Sequence, residues 1–365
     1  MVGNTSADEG EWRVKLQADR LTIRQPDDWH VHLRDGAMLE AVLMCTARIF
    51  GRAIVMPNLM PPLMTVEATI EYRRRILRSL PQDCGFTPLM TAYLSDGLHC
   101  DVLERGQREG VFTAAKLYPA HATTNSEAGV SDLHAIDSVL ETMQRIGMPL
   151  LIHGEVTDPD VDIFDREAVF IERHLEPLLS RYPELRVVLE HITTEDAVQF
   201  VNSAGKNLAA TITPHHLHIN RNAIFLGGLR SDFYCLPVVK RERHRLALRR
   251  AATSGSPSFF LGTDSAPHPR GAKENACGCA GIFNAPYALE SYAAVFEEEG
   301  ALDRFESFAS EFGPAFYGLP LNASTITLEK RAHRIPQHVA GPCLGGSVEK
   351  LVPFHAGETL NWCVV

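Results

Sequence analysis

The chain has 365 residues, of which 45% are hydrophobic and 22% charged, so it can bury a large core. This composition excludes a disordered tail and a fibrous repeat. Acidic residues outnumber basic ones by 45 to 35, for a net charge of -10, and no basic block is present. Neither a nucleic acid nor an anionic membrane is therefore an expected partner, and an anionic small substrate would need a local positive site.

The first twenty residues interleave charges with apolar side chains, and they lack the apolar core of a secretory signal. No uncharged apolar stretch approaches the roughly 18 residues that cross a bilayer. Eight cysteines are scattered along the chain, and the only close pair, Cys277 and Cys279, lacks the spacing of a structural zinc site. We therefore expect a soluble cytoplasmic protein with reduced thiols.

Eight short apolar runs are predicted to be strands. In chain order they are Asp28 to Leu33, Arg52 to Met56, Thr87 to Leu94, Thr113 to Leu117, Pro149 to His153, Arg186 to His191, Leu208 to Thr213 and Ser258 to Gly262. The seven intervals between His30 and Asp264 span 234 residues, about 33 residues each. This is the length of one strand, one helix and two turns, so the spacing predicts repeated βα units.

Segments between these runs place apolar residues at helical intervals, which predicts amphipathic helices over Met38 to Phe50, Val66 to Leu80, Ala135 to Ile146, Phe164 to Leu179 and Lys240 to Thr253. An open doubly wound sheet would need a glycine-rich loop after the first strand, which this sequence lacks, so a closed barrel is favoured. The predicted fold is an α/β protein, a (β/α)8 TIM barrel with a C-terminal helical extension over Ser291 to Tyr317. Residues 1–20 are interpreted as an N-terminal extension, 21–365 as one domain and Ile335 to Gly346 as a surface excursion.

A histidine pair follows the first predicted strand. In a strand, side chains two apart share a face, so His30 and His32 can converge on one metal ion while Val31 points away. An isolated pair of this kind is more simply explained as chance alternation on a solvated strand. Here the pair ends the first strand of a predicted barrel, where active sites lie, and this favours a metal site.

Four later strands also end in residues that can carry chemistry, namely Lys116, His153, His191 and Asp264. Each has a structural explanation when taken singly: a hydrogen-bonded core histidine, a lysine extending from a sheet, or an aspartate capping a turn. Five of eight strands ending in such residues favours one shared site.

Four histidines and one aspartate complete the coordination of two ions only if a further group bridges them. A lysine ammonium has no lone pair and cannot bridge. A desolvated, neutral Lys116 could add carbon dioxide to form a carbamate, whose two oxygens could each bind one cation. The sequence alone does not reveal this modification, which stays a hypothesis.

The chain resembles the monofunctional, bacterial-type dihydroorotases of the amidohydrolase superfamily. The resemblance extends from about Leu21 to the C-terminus, is weakest around Asn322 to Lys350, and omits the first twenty residues. It rests on nine motifs in family order: DDWHVHLRDG, GRAIVMPN, FTAAKLYPA, PLLIHGE, EHITT, ATITPHHL, YCLPVVK, LGTDSAPH and CGCAG.

The resemblance implies a (β/α)8 barrel with two zinc ions per subunit, which interconverts L-dihydroorotate and N-carbamoyl-L-aspartate in pyrimidine biosynthesis. It assigns His30, His32 and Asp264 to the first metal, and His153 and His191 to the second. Lys116 would be the carboxylated bridge (N6-carboxylysine), beside a bridging hydroxide. Asp264 would also be the catalytic proton acceptor and donor, and the enzyme would be a homodimer.

The same resemblance assigns the substrate contacts. Arg34 shares a face with His32 and offers a planar fork to the substrate carboxylate, with Asn58 and His268 as further donors. The backbones of Leu236 and Ala280 would meet the amide edge of the ring. The segment Pro119 to Gly129 resembles a mobile loop that closes over the substrate with the hydroxyls of Thr123 and Thr124.

Two alternatives remain open. A cyclic amidase of the hydantoinase or dihydropyrimidinase type would share the metal framework, but not the predicted carboxylate contacts of Arg34, Asn58 and His268. A catalytically silent scaffold with the same barrel is a second alternative, against which the presence of every predicted ligand argues. A separate histidine cluster after the seventh strand lies outside the implied ligand set, so we expect it to have a supporting or surface role.

Overall fold

Eight short strands run parallel to one another in chain order and form a single sheet. The computed structural model describes residues 15–17, 19–344 and 347–365. It places these strands at Asp28–Val31, Arg52–Val55, Thr87–Tyr93, Ala114–Leu117, Leu150–Ile152, Val187–Leu189, Leu208–Ile212 and Phe259–Leu261. Each predicted strand is confirmed, with one to three residues trimmed from its ends.

The first and eighth strands meet and close the sheet into a barrel. The backbone N–H of Asp264 donates to the carbonyl of His30 over 2.9 Å. Below this contact the buried carboxylate of Asp28 accepts from the Thr263 backbone N–H at 2.8 Å and from its hydroxyl at 2.6 Å. Closure therefore brings the strand that carries the paired histidines beside the strand that precedes Asp264.

Helices surround the barrel, and all five predicted helices are present. They span Gly36–Ala47, Val66–Arg78, Asp137–Ile146, a run from Arg166–Phe170 through Ile171–Leu175 to Glu176–Arg181, and Glu242–Ala252. Further helices, which the sequence analysis did not predict, span Cys100–Arg108, Glu195–Ser203, Pro214–His218 and Arg270–Lys273. Thr65 and Thr194 cap two of the helices by accepting from backbone N–H groups in the first turn.

Side chains from every strand fill the lower barrel: Trp29, Ile54, Leu89, Ala114, Leu151, Val188, Ala209 and Phe260. The indole of Trp29 stacks on the ring of Tyr317, with 4.4 Å between centroids and 9° between planes. The helix Phe312–Tyr317 thus covers the end of the barrel interior. This packed interior leaves only the opposite end of the barrel open to a ligand.

One close backbone approach in this region predicts a stability effect. A Cβ atom added at Gly313 would overlap the indole of the buried Trp29. We expect Gly313→Ala to destabilise the fold by roughly 1–3 kcal/mol, because a packed core cannot accept the extra atom without strain. The measurement is the melting temperature, with Gly97→Ala as the matched control, since a Cβ at Gly97 meets nothing within 4 Å. Equal melting temperatures for the two variants would contradict the packing argument.

The C-terminal region contains more than the predicted helical extension. Helices Ala288–Glu298 and Phe312–Tyr317 are present, with short helical turns between them. They are followed by strands Thr325–Arg334 and Thr359–Val364, which form an antiparallel sheet with Arg20–Arg24 and Lys15–Gln17. The predicted surface excursion contains Val339–Leu344, which pairs with Ser347–Leu351. The predicted helical extension over Ser291 to Tyr317 is therefore confirmed. The sheet that follows it was not predicted, because the pairing partner of Thr325–Arg334 lies about 300 residues earlier and leaves no local signal.

Among the described residues, every helix is too short or too polar to cross a lipid bilayer.

Candidate metal centre and active site

A cavity opens where the carboxyl ends of the barrel strands meet. Eleven of the thirteen predicted site residues line it: His30, His32, Arg34, Asn58, Thr123, Thr124, His153, His191, Leu236, Asp264 and Ala280. Lys116 lies fully buried at the end of the fourth strand, and His268 is joined to the cavity wall through Arg34 and Ala280. Parallel strands in a barrel end at one rim, which explains why residues so far apart in sequence meet here.

Three of these side chains form a compact triangle of possible metal ligands. The Nε2 atoms of His30 and His32 lie 3.3 Å apart, and each lies 3.3 Å from the same carboxylate oxygen of Asp264. Ligand atoms about 2.1 Å from a tetrahedral ion are separated by roughly 3.4 Å. The edges of the triangle therefore match the spacing that one small divalent cation requires. Val31 packs against the helix Gly36–Ala47, as the alternation predicted.

Two further histidines lie next to this triangle. The ring centroid of His191 lies 5.0 Å from the ring centroid of His30 and 4.9 Å from that of His153. Potential ligand atoms of His30, His191 and Asp264 all lie within 4.8 Å of one another. Burial, aided by nearby His153, holds the pKa of His191 well below its ordinary value. The ring is therefore neutral near pH 7, the state in which an imidazole binds a metal.

Lys116 lies between acidic and aromatic neighbours. Its Nζ contacts a carboxylate oxygen of Glu190 and lies 4.7 Å from the centroid of the Tyr118 ring. Burial lowers the pKa of Lys116, while the Glu190 carboxylate opposes that shift. The other Glu190 oxygen lies 3.0 Å from Nδ1 of His30. Glu190 therefore connects the lysine to one of the candidate ligands.

Polar groups next to the imidazoles of His32 and His153 determine which ring nitrogen carries the proton. Nδ1 of His32 lies 2.9 Å from Oδ1 of Asn58, and since this oxygen can only accept, Nδ1 carries the proton and Nε2 keeps its lone pair. Nε2 of His153 lies 2.8 Å from a carboxylate oxygen of Glu155 and carries the ring proton for the same reason. The lone pair of Nδ1 is then left to bind a metal. Such partners commonly orient metal-binding histidines.

Arg34 provides the local positive site that an anionic substrate would need. Its Nε donates to the carbonyl of Pro267 at 3.0 Å, and Nη2 lies 2.9 Å from Nε2 of His268. Burial, together with the charge of Arg34, lowers the pKa of His268 to about 2, so this ring is neutral. The same Nε2 lies 3.0 Å from the carbonyl of Ala280. One ring nitrogen cannot both accept from Arg34 and donate to Ala280, so the tautomer selects one of these contacts.

The segment Pro119 to Gly129 lies over the cavity. The amide of Asn58 donates to the carbonyl of Thr124, and the amide of Asn125 donates to the carbonyl of Asn58, both over 3.0 Å. The hydroxyl of Tyr93 lies 3.3 Å from the carbonyl of Asn125. The predicted lid is thus in contact with the site, with Thr123 and Thr124 on the cavity wall.

Three site residues have left-handed backbone conformations that L-amino acids rarely adopt. The φ angles are 60° for Arg34, 41° for His191 and 44° for Asp264. Each residue follows a barrel strand, and the reversed conformation directs its side chain at the strand end. Backbone strain of this kind is concentrated at functional sites, where the surrounding structure maintains it.

Sequence reasoning missed Glu155, Glu190 and Tyr118. Both glutamates are buried and contact candidate ligands, and Tyr118 lines the cavity. The sequence shows both glutamates beside apolar strands, but the burial that would mark them as partners of other groups appears only in the folded protein.

The separate cluster of His215, His216 and Cys235 is buried, and its candidate ligand atoms lie within 4.8 Å of one another. His216 is already bonded at both nitrogens, to the hydroxyl of Thr213 at 2.7 Å and to the carbonyl of Pro237 at 3.1 Å. These bonds connect the end of the seventh strand to the loop that carries Leu236. The geometry favours a supporting role for this cluster.

The chain is similar in sequence and in fold to known proteins. Residues 27–335 match the family model described as "Amidohydrolase family". A dihydroorotase from Synechococcus sp. (strain RCC307) is 71% identical over 344 residues, which cover 94% of this chain and 97% of the relative. The chain belongs to the amidohydrolase family, among its dihydroorotases. Within this family, the crystal structure of a Saccharomyces cerevisiae dihydroorotase in complex with 5-fluoroorotic acid matches with a TM-score of 0.86 and 34% identity, covering 95% of this chain and 99% of that one.

The amidohydrolase barrel is also shared with more distant proteins. An L-hydantoinase (dihydropyrimidinase) from Arthrobacter aurescens matches with a TM-score of 0.77 at 16% identity, over 94% of this chain and 83% of that one. At this identity the likeness extends to the fold alone.

Proposed function

We propose that the protein is a zinc-dependent dihydroorotase, which reversibly hydrolyses the cyclic amide of L-dihydroorotate to N-carbamoyl-L-aspartate. The observation that carries this proposal is the placement of Arg34 and Asn58 in the same cavity as the triangle of His30, His32 and Asp264. Arg34 and Asn58 would bind a carboxylate on the substrate ring. The triangle would hold a metal ion for hydrolysis.

The donor set fits two divalent cations. His30, His32 and Asp264 would hold one ion, and His153 and His191 the other. Nδ1 of His191 is buried and has no hydrogen-bond partner among the described residues, as expected of an atom reserved for a ligand. The buried amine of Lys116, after losing a proton and adding carbon dioxide, would become an anionic carbamate with one oxygen for each ion. When bound, the ions would lower the pKa of a shared water and polarise the carbonyl under attack.

Residues of the chain account for the remaining chemistry. As water attacks the ring carbonyl, the carboxylate of Asp264 accepts its proton and then delivers that proton to the departing ring nitrogen. Arg34, Asn58 and His268 hold the substrate carboxylate, and the backbones of Leu236 and Ala280 meet the amide edge of the ring. Thr123 and Thr124 close over the substrate from the lid. In the reverse direction the carboxylate of Asp264 accepts a proton from the attacking ureido nitrogen and delivers it to the departing oxygen, and ring closure consumes one proton from solution.

The deciding experiment compares two substrates on metal-analysed protein. We expect turnover of L-dihydroorotate and little or none of dihydrouracil, because dihydrouracil lacks the carboxylate that Arg34 would bind. Preference for dihydrouracil would favour the hydantoinase-type alternative. Protein that holds its metals and turns over neither compound would favour a silent scaffold, and full activity after exhaustive chelation would refute the metal mechanism.

The role of Arg34 predicts a specific kinetic change. We expect Arg34→Lys to raise KM for dihydroorotate by roughly tenfold, because lysine keeps the charge but loses the planar two-point fork. Steady-state kinetics measure the effect. The exposed Arg78 offers a matched control, since Arg78→Lys makes the same exchange at the end of the helix Val66–Arg78. Unchanged kcat and KM would remove Arg34 from the carboxylate site.

A homodimer is part of the proposal. Phe225, Leu226 and Leu229 are 63%, 75% and 78% exposed on one loop, and an exposed apolar group of this kind is typical of a contact surface. Sedimentation equilibrium measures the mass in solution, and a monomer at all concentrations would contradict the expected assembly.

A further inference from the structure

A lysine outside the predicted site joins the two backbone segments that would meet the substrate ring. Lys273 ends the short helix Arg270–Lys273 and is only 8% exposed. Its Nζ donates to the carbonyls of Tyr234 at 3.1 Å, Cys279 at 3.2 Å and Gly281 at 2.5 Å. Tyr234 lies two residues before Leu236, and the other two flank Ala280. One ammonium therefore holds both segments.

The ammonium is fully used by these contacts. An ammonium has three N–H donors and no acceptor, and each donor here has one carbonyl. Among the described residues, Lys273 forms no ion pair, and the charged or titratable groups that influence its pKa are Cys235, Asp232, Cys279 and Arg34. Burial without a close counter-charge lowers the pKa of Lys273 to about 8. The carbonyls thus take the place of water around a buried cation.

Peptide geometry links these contacts to the cavity. The carbonyl of Cys279 and the N–H of Ala280 belong to one planar trans peptide, so they point in opposite directions. Drawing this carbonyl toward Lys273 turns the N–H of Ala280 away from the lysine. Within the described part of the chain, the N–H groups of Ala280 and Leu236 have no acceptor, although both residues line the cavity. These donors are free to meet a ligand.

A direct bond keeps the two segments in register with each other. The N–H of Gly281 donates to the carbonyl of Tyr234 at 2.9 Å, so that carbonyl accepts from both the lysine and the second segment. On the other side of the peptide, the carbonyl of Ala280 lies 3.0 Å from His268. Ala280 is therefore held between the lysine on one side and the proposed carboxylate contacts on the other.

We propose that Lys273 is a positioning residue, which fixes the backbones of Leu236 and Ala280 and thereby sets the affinity for the cyclic amide edge of the ligand. This inference rests on the proposed function for the identity of the ligand. Among the described residues, Nζ of Lys273 bonds to backbone carbonyls and to no candidate metal ligand. Its expected effect is therefore on ring binding rather than on the proton transfer at Asp264.

The test compares Lys273→Met, which keeps an apolar stem but removes the donors, with the wild type. We expect KM for dihydroorotate and Kd for 5-fluoroorotate to rise by about tenfold, with kcat changed much less, because a contact made throughout the reaction affects binding uniformly. Competitive inhibition by succinate, which offers carboxylates but no ring, should stay at the wild-type level. Lys206→Met is the control, since Lys206 is exposed just before the strand Leu208–Ile212, at the opposite end of the barrel.

The results of this comparison support or overturn the positioning role of Lys273. Unchanged affinity for 5-fluoroorotate, or equal weakening of 5-fluoroorotate and succinate, would overturn the positioning role. Lys273→Gln, which keeps two N–H donors, serves if the methionine variant fails to fold, and an intermediate rise in Kd is expected for it. Wild-type protein that fails to turn over dihydroorotate would refute the proposed function, whereas the ligand affinities would still test Lys273.

Discussion

Asp264→Asn should lose roughly 10²- to 10⁴-fold or more in turnover while the protein stays folded. The amide oxygen of asparagine can still approach a cation, but it cannot accept the proton of an attacking water. In the structure one Asp264 carboxylate oxygen lies 3.3 Å from Nε2 of both His30 and His32, so the carboxylate is placed at the cavity beside the candidate metal ligands. Burial opposes ionisation of Asp264, but the neighbouring histidines hold its pKa well below its usual value, so it starts as a base.

The measurement for this variant is kcat alongside the metal content. Asp303→Asn makes the same exchange at an exposed position in the turn Leu302–Arg304 and should leave both quantities unchanged. A near wild-type rate for Asp264→Asn with its metals retained would exclude Asp264 as the proton acceptor. Loss of metal together with activity would instead assign Asp264 to metal binding, without deciding its role in proton transfer.

Lys116→Ala should lose metal and activity together. The variant removes the buried amine that, in the proposed mechanism, would become the bridging carbamate between the two sets of candidate ligands. Added short carboxylates such as acetate or propionate should restore part of the rate by supplying the missing anion in the space that alanine leaves. Metal analysis and turnover with and without the added anion measure both effects.

A stability control is needed for this variant. In the unmodified, metal-free protein, removing Lys116 leaves Glu190 buried without its cationic neighbour, which costs several kcal/mol when no other partner replaces it. Thermal unfolding of Lys116→Ala and of the surface variant Lys206→Ala separates this cost from the loss of metal. Wild-type metal content in folded Lys116→Ala would remove the carbamate from the mechanism.

The barrel was predictable because its signals are local. Each strand is a short apolar run followed by a helical pattern, and parallel strands then bring Lys116, His153 and His191 to one rim by geometry alone. The tertiary environment of those residues was not predictable. The buried partners Glu155 and Glu190, and the left-handed conformation of Asp264, depend on neighbours that close around them only in the folded protein.

Contacts of residues outside the barrel strands were likewise not predictable from the sequence. Thr325–Arg334 begins with alternating polar and apolar residues, which are compatible with a strand, but its partner Arg20–Arg24 is not identifiable from any nearby pattern. Lys273 is a second case. In sequence it is one lysine in a polar loop, and only the fold brings the carbonyls of Tyr234, Cys279 and Gly281 to its ammonium.

The small antiparallel sheet has a consequence for synthesis of the chain. Thr22 and Thr327 meet across 305 positions, with 2.9 Å between their hydroxyls. At about 5–20 residues per second, a ribosome needs tens of seconds to synthesise the residues between them. During this time the strand Arg20–Arg24 cannot pair with Thr325–Arg334. Its unpaired edge is then open to other chains, so the nascent protein should depend on chaperones more than its closed barrel alone would suggest.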